Sequence, residues 1–124
     1  MTVVCVDDHP IMLSGLTETV KQLLPGASIS AFAKATDAFA FVKNHNCEIL
    51  ICEIELSDMS GLTLAKQIKN IHPEVNIIFL TVCGEKEHAK EVFSIKPSGY
   101  LVKPATNEQL EAELKNLRYR PRAT

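Results

Sequence analysis

Five short apolar segments recur along the chain, and the residues between them have a different hydrophobic spacing. The segments cover residues 2–6, 27–32, 48–53, 75–81 and 99–103. The runs around Val4 and Ile78 are almost continuously apolar, which is typical of parallel strands covered on both faces. The intervening segments place apolar residues at steps of three or four, as in helices with one buried face. Three stripes are clearest: Leu13, Leu16, Val20 and Leu23; Leu64, Ile68 and Ile71; and Leu110, Leu114 and Leu117.

Turn and capping residues divide the chain at the same places. Pro25-Gly26 and His72-Pro73 are predicted to end the first and third helices. Thr106 and Gln109 have the spacing of a capping box that opens the last helix, and Thr36 is a candidate cap for the second. The alternation predicts an α/β fold: a (βα)5 doubly wound three-layer sandwich with a flavodoxin-like parallel sheet in the order 2-1-3-4-5.

Composition indicates one water-soluble domain. The 124 residues are 46% hydrophobic and 23% charged, and this length suits a single core. No apolar run approaches the ~20 residues of a membrane-spanning helix, and the N-terminus turns acidic at Asp7 where a signal peptide would stay apolar. We therefore expect a cytoplasmic protein without membrane contact. Its formal net charge of -2 also argues against direct nucleic-acid contact by this domain.

The apolar periodicity stops after Leu117, where the basic segment RYRPRAT begins. We interpret residues 1–117 as the domain and residues 118–124, with Arg118, Arg120 and Arg122, as the start of a linker towards a further C-terminal domain.

Cysteines and histidines show no metal-ligand spacing. Cys5, Cys47, Cys52 and Cys83 form no CxxC pair, and Cys5 and Cys52 lie within apolar runs. This pattern favours small, buried, reduced side chains over a disulfide or a zinc site. The histidines, at positions 9, 45, 72 and 88, are equally scattered.

Polar residues stand where the predicted strands end. The first strand ends in Asp7-Asp8, the third in Glu53, the fourth in Thr81 and the fifth in Lys103. The carboxyl ends of the strands of a doubly wound sheet share one edge, so these side chains are expected to converge in a cleft. Any one of them alone is more simply read as a solvated charge. Together, three carboxylates would repel one another unless cations offset them, which favours Mg²⁺ and the ammonium of Lys103.

Other site chemistries have little support. The loop after the first strand reads DDHP, and the phosphate-cradling motifs GxGxxG and GxxxxGK[ST] are absent, which argues against a flavin- or nucleotide-binding protein. We identify no nucleophile–base pair, so the protein is not expected to be an enzyme. A small metal-dependent hydrolase that uses the three acids is one further functional hypothesis, beside those that follow below.

Four separated motifs, VDDHP, EIELSDMSG, FLT and YLVKP, resemble the receiver domain of bacterial two-component response regulators, over the chain up to about Leu117. In that family an aspartate at the end of the third strand takes a phosphoryl group from a sensor histidine kinase. Gly61, eight residues on, identifies the equivalent position here as Glu53.

The resemblance also implies roles for other residues. It makes Asp8 a direct Mg²⁺ ligand, Asp7 a ligand acting largely through water, and Glu53 and the backbone carbonyl of Glu55 further ligands. Thr81 would be the hydroxyl that moves towards the phosphoryl group, Lys103 the ammonium that pairs with it, and Tyr100 the aromatic switch residue. Lys103-Pro104 matches the family's usual cis peptide bond.

Glu53 departs from the family pattern, because it is one methylene longer than aspartate. Phosphoryl transfer needs in-line placement of the acceptor oxygen, so we expect a poor acceptor or none. The extra length also moves a negative charge towards Lys103 and Thr81, which would imitate the phosphorylated state incompletely. Ser57, where a proline is usual, and Val82, where a smaller residue is common, are lesser departures.

Two functional hypotheses follow from the resemblance. The first is a signalling switch in a transcription regulator, in which the fourth helix, fifth strand and fifth helix change packing. Its expected partners are a second copy of the chain, bound through that surface, and a linked C-terminal output domain that binds DNA. The second is a pseudo-receiver that acts by protein binding alone.

Overall fold

The computed structural model describes residues 1–120, so the end of the predicted linker, including Arg122, lies outside the described residues. Its five strands are β1 (Thr2–Val6), β2 (Ser28–Phe32), β3 (Ile49–Cys52), β4 (Asn76–Thr81) and β5 (Gly99–Val102). The helices are α1 (Pro10–Leu23), α2 (Ala35–Val42), α3 (Gly61–Ile71), α4 (Ala89–Ile95) and α5 (Asn107–Lys115), and a 3-10 turn (Glu85–His88) precedes α4. All strand pairs are parallel, in the order β2-β1-β3-β4-β5, so the predicted fold is confirmed.

The core lies on both faces of this sheet. Val4 and Val6 point to the layer formed by α2, α3 and α4, whereas Val3 and Cys5 point to the layer formed by α1 and α5. Because successive side chains of a strand point to opposite faces, a strand covered on both sides must be apolar throughout. This explains the continuous apolar runs in the sequence.

Most of the predicted helix boundaries agree with the structure. Helix α1 ends two residues before Pro25, and α3 ends before His72-Pro73. The capping box of Thr106 and Gln109 is present at the start of α5. Ile71, by contrast, is exposed rather than part of a buried stripe, because it is the last residue of α3.

The predicted capping role of Thr36 is wrong. Lys34 occupies the N-cap position of α2 and its side chain makes no capping bond. The Asp58 carboxylate, from the loop after β3, accepts hydrogen bonds from the backbone N–H groups of Ala35 and Thr36, both at 3.0 Å, and from the Thr36 hydroxyl. These bonds, the one from the Thr36 backbone foremost, lower the pKa of Asp58. A residue distant in sequence therefore caps α2.

A buried amide organises the sheet edge opposite the strand carboxyl ends. Asn76, the first residue of β4, is 1% exposed. Its Oδ1 accepts hydrogen bonds from the Ser98 hydroxyl (2.9 Å) and the Tyr119 backbone N–H (2.7 Å), while its Nδ2 donates to the carbonyls of Tyr119 and Glu48. The chain segment that follows α5 is thereby attached to the sheet.

All four cysteines are buried and free, as the sequence predicts. Among the helices of residues 1–120, none has the length and apolar character needed to span a bilayer.

Candidate functional site

An ammonium joins two buried carboxylates at the carboxyl edge of the sheet. Lys103 Nζ lies 2.6 Å from Asp7 Oδ2 and 2.9 Å from Glu53 Oε1. Asp7 follows β1, Glu53 follows β3 and Lys103 follows β5, so the sheet order places the first two side by side and brings the third from the far edge. The side chains of these three residues are less than a tenth exposed. Ions buried to this extent are stable only when they are paired.

The Glu53 carboxylate is also held by backbone N–H groups. Its Oε2 accepts from Ile54 (2.7 Å) and Glu55 (3.2 Å), and its Oε1 accepts from Val82 (3.3 Å) in addition to Lys103. The side chain therefore bends back over its own backbone with one oxygen and reaches across to β4 and β5 with the other. Backbone donors of this kind are invisible in a residue pattern, and the sequence did not predict them.

The environment of Glu53 favours its ionised form. Burial alone would raise the pKa of Glu53, but hydrogen bonding with Thr81 and Lys103, together with the Lys103 charge, outweighs burial and lowers that pKa. Burial likewise opposes the charge of Lys103, but its hydrogen bonds to Asp7 and Glu53 raise the Lys103 pKa. At neutral pH the Glu53 carboxylate and the Lys103 ammonium are therefore both charged.

Gly61 fixes the backbone beneath Glu53. The first residue of α3, it donates its N–H to the Ile54 carbonyl at 2.7 Å. A β-carbon at position 61 would overlap the carbonyl oxygen of Glu53 and lie 2.9 Å from Ile54 Cα. Glycine is required here because backbone packs directly on backbone.

Asp7 and Asp8 follow β1, and Glu55 lies in the loop after β3, so they are the candidate oxygen ligands for a hard cation. Asp7 Oδ1 accepts from the His9 N–H at 2.9 Å, and Asp8 is half-buried beside it. One ammonium shared between Asp7 and Glu53 leaves the three acids with a net negative charge. Carboxylate and carbonyl oxygens, including that of Glu55, suit Mg²⁺, so the donor set fits the predicted ion.

Thr81 and Tyr100 meet the same loop from different sides. Thr81 is fully buried, and its hydroxyl accepts from the Cys83 N–H at 3.1 Å. The hydroxyl of half-buried Tyr100 donates to the Cys83 carbonyl at 2.9 Å, and its ring lies 6.1 Å from that of Phe79. Lys103-Pro104 is a cis peptide bond, as predicted.

Comparison with known proteins identifies the family and the fold. The profile of the response regulator receiver domain matches residues 3–115. The chain belongs to the response regulator receiver family. Receiver domains act as signalling switches, and the residues at the carboxyl edge of this receiver's sheet are the ones that the four motifs single out.

Individual relatives of this receiver are regulators of transcription. It is 28% identical to the uncharacterized transcriptional regulatory protein YesN of Bacillus subtilis, over 93% of this chain and 32% of that protein. It is 31% identical to the transcriptional regulatory protein NatR of the same organism, over 86% of this chain and 45% of that protein. The receiver thus spans less than half the length of these relatives.

One solved relative is a complex with DNA. RcsB of Salmonella enterica serovar Typhimurium, bound to the promoter rprA in the presence of the phosphomimetic BeF3⁻, superposes with a TM-score of 0.80 at 26% identity. The similarity covers 98% of this receiver and 70% of the RcsB chain.

Proposed function

We propose that this receiver is the switch domain of a transcription regulator in which Glu53 occupies the phospho-acceptor position. Phosphotransfer is then impaired, and the active state is partly imitated without phosphate. The observation that carries this proposal is the pairing of the Glu53 carboxylate with Lys103 and the Val82 N–H at the same time.

The geometry of Glu53 supports weak phosphotransfer. An acceptor oxygen must be free and in line with the leaving group. Glu53 Oε2 accepts hydrogen bonds from the N–H groups of Ile54 and Glu55. Its Oε1 accepts from the Val82 N–H and the Lys103 ammonium. Attack by either oxygen requires these bonds to break.

The same geometry supports partial imitation of the active state. Glu53 places one negative charge against Lys103 and Thr81, the two side chains that the resemblance assigns to the phosphoryl group. A carboxylate has less charge and fewer acceptor oxygens than a phosphoryl group, so the imitation is incomplete.

Asp7, Asp8, Glu53 and the Glu55 carbonyl would hold Mg²⁺, with Asp8 as a direct ligand and Asp7 acting largely through water. When bound, the ion supplies positive charge that offsets the phosphoryl oxygens. Lys103 supplies the second positive charge and orients both Asp7 and Glu53.

The output surface of the switch is formed by α4, β5 and α5. Thr81 and Tyr100 both bind Cys83 in the loop that leads to α4, so movement of either residue alters this loop. Phe93 is 83% exposed and Val102 46% exposed on that surface, and a groove of about 630 Å³ lies between α4 and β5. Exposed apolar side chains there support a homodimer through this surface.

A sensor histidine kinase is the proposed phosphoryl donor, and a linked C-terminal domain is the proposed output. The domain covers residues 1–117, and residues 118–124 begin the linker. The relatives' role in transcription, the DNA complex of RcsB and the basic residues Arg118 and Arg120 support a DNA-binding output domain.

The test compares the parent with Glu53→Asp during incubation with acetyl phosphate and Mg²⁺. Intact-mass spectrometry should detect a phosphoryl adduct that forms much faster in Glu53→Asp than in the parent. Asp8→Asn in the Glu53→Asp background should abolish it. A phosphoryl adduct that forms as fast in the parent as in Glu53→Asp would refute the impaired-acceptor proposal.

The alternative is a pseudo-receiver that signals by binding alone, and the fully occupied hydrogen bonds of Glu53 favour it. In that case Glu53→Asp also stays unphosphorylated.

Glu53→Gln separates charge imitation from a neutral structural role, because it keeps the size of the side chain and removes its charge. Equal dimerisation of Glu53→Gln and parent, measured by analytical ultracentrifugation, would remove the case for imitation.

A further inference from the structure

Three side chains that offer a sulfur, a nitrogen and an oxygen donor meet in the loop beyond β4. Cys83, Glu87 and His88 each offer one ligand atom, and these atoms all lie within 4.8 Å of one another. In sequence the three residues show no recognised ligand spacing. The fold assembles them because the 3-10 turn brings residues 87 and 88 back towards the end of the strand.

The local backbone explains this juxtaposition. Gly84 is the N-cap of the 3-10 turn, and its carbonyl accepts from the Glu87 N–H at 3.1 Å. A β-carbon at Gly84 would lie 3.9 Å from Glu87 Oε1, so the Glu87 carboxylate folds over the glycine towards Cys83. The turn itself therefore places the carboxylate near the sulfur.

A fourth donor atom, a carboxylate oxygen, approaches the sulfur from the loop after β3. The Cys83 thiol donates a hydrogen bond to Glu55 Oε1 at 3.1 Å. Cys83 is 2% exposed, whereas Glu87 is exposed and His88 half-buried, so the cluster has a buried sulfur and an opening to solvent. A metal ion entering from the solvent side would displace the thiol proton, which is released on binding.

We propose that Cys83, Glu87 and His88 form a binding site for Zn²⁺, with the fourth position taken by the Glu55 carboxylate or by water. A thiolate, an imidazole and a carboxylate are the ligands that tetrahedral zinc sites use. Mg²⁺, which takes oxygen ligands, does not compete effectively for this set.

This site has a direct structural connection to the proposed switch. The Cys83 carbonyl is the acceptor for the Tyr100 hydroxyl, and the neighbouring Val82 N–H binds Glu53. An ion that joins Cys83 to the 3-10 turn would restrain the loop through which both contacts run. Binding of zinc itself does not depend on phosphotransfer, so the two proposals can fail separately.

Cobalt(II) is the probe for the test, because a Co²⁺–thiolate bond gives a charge-transfer absorption in the near ultraviolet and tetrahedral Co²⁺ gives visible bands. The fully reduced protein should show both with equimolar Co²⁺, and Zn²⁺ should remove them. Cys83→Ser should abolish the charge-transfer band. His88→Asn and Glu87→Gln should each weaken affinity at least about tenfold, since even outer-shell substitutions have effects of that size.

Matched controls are available at similar positions. Cys47→Ser alters another buried cysteine, and His45→Asn alters an exposed histidine, and both should bind Co²⁺ like the parent. Asp8→Asn should also keep the band, because metal in the acidic cluster gives no sulfur signal. His88→Asn and Glu87→Gln change partly or fully exposed residues, so they preserve the test if Cys83→Ser does not fold.

Three results would overturn the proposal. One is the absence of a charge-transfer band at saturating Co²⁺, and another is its persistence in Cys83→Ser. The third is equal affinity of His88→Asn, Glu87→Gln and the parent. None of these results bears on phosphorylation of Glu53→Asp.

Discussion

The side chain of Asn76 binds both polar backbone atoms of Tyr119. Oδ1 accepts the Tyr119 N–H and Nδ2 donates to the Tyr119 carbonyl, each at 2.7 Å. A single buried amide thus replaces the pairing that a neighbouring strand would give this segment. The exit of the chain after α5 is fixed by the first residue of β4.

Replacing Asn76 by alanine should destabilise the fold and release the segment after α5. The change leaves the Tyr119 N–H and the Ser98 hydroxyl without their acceptor, which should lower the free energy of unfolding by about 2 kcal/mol. Urea denaturation measures the loss, and hydrogen exchange should show faster exchange at Tyr119. Asn70→Ala, at an exposed position on α3, should change stability by under about 0.5 kcal/mol. Similar losses in both variants would contradict this role.

Two glycine-to-alanine substitutions should have opposite effects. Gly61→Ala forces a β-carbon into the Glu53 carbonyl and should destabilise the protein by about 2 kcal/mol or more. Gly15→Ala lies inside α1, where the added carbon has no atom within 4 Å apart from its chain neighbours and the backbone of its own helix, and it should stabilise the protein by about 0.5–1 kcal/mol. Thermal unfolding of the two variants beside the parent provides the comparison. Destabilisation by Gly15→Ala would show that helix propensity does not govern that position.

Removing the ammonium of Lys103 should lower the free energy of unfolding at neutral pH. Lys103→Met leaves Asp7 and Glu53 buried and unpaired, so we expect a loss of about 3 kcal/mol. Lys66→Met, which breaks a half-exposed pair with Glu91, should cost under about 1 kcal/mol. Chemical denaturation at pH 7 measures both. Equal losses would mean that the buried pairs contribute no more than a surface pair.

The pH dependence of stability should follow the same group of charges. The pKa of Glu53 is lowered in the fold, so its contribution is present above the ordinary glutamate pKa and is lost as pH falls through the lowered value. The pKa of Lys103 is raised, so its contribution is present below the ordinary lysine pKa and is lost as pH rises through the raised value. In Lys103→Met the Glu53 carboxylate loses the charge that helps to lower its pKa and protonates more readily, so the loss of stability relative to the parent should shrink between pH 7 and about pH 4. A stability difference between Lys103→Met and the parent that grows as pH falls would contradict this explanation of the pH dependence.

Asp58 should stabilise α2 from outside the helix. Asp58→Ala removes the acceptor for the Ala35 and Thr36 N–H groups and should cost about 1 kcal/mol at pH 7. Because folding lowers the pKa of Asp58, the difference from the parent should decrease as pH falls through that lowered value. Ser57→Ala, at the neighbouring exposed position, is the control for urea denaturation at both pH values. A loss of stability that is independent of pH would mean that the charge of Asp58 does not contribute to the stability of α2.

Local patterns predict this fold well because its strands and helices differ in hydrophobic period. The apolar runs around Val4 and Ile78 correspond to β1 and β4, with strand ends displaced by about one residue at β2, β3, β4 and β5. Capping by Asp58 was missed because its partner residues lie 22 and 23 positions earlier in the chain. Thr36 has the right residue type for a cap but lies two residues after the N-cap position, which Lys34 occupies.

The side chains of the candidate site could be predicted, but not their bonding. Strand ends and sheet order are enough to bring Asp7, Glu53 and Lys103 to one edge. The N–H of Val82 belongs to no sequence motif, because every residue except proline carries one. Cys83 and His88 were set aside for lack of ligand spacing, and only the turn after Gly84 brings them together.

The backbone of Gly61 packs directly against the backbone of Glu53, so the backbone beneath the site cannot shift. Strand β3 cannot move away to make room for a longer side chain. The additional methylene of Glu53 is instead accommodated by the bent conformation of the side chain over its own backbone. Shortening that side chain should therefore leave the scaffold undisturbed and open a small gap in front of Lys103. On the proposed assignment of position 53, Glu53→Asp alone would therefore suit the site to phosphoryl transfer, with no compensating change in the strand.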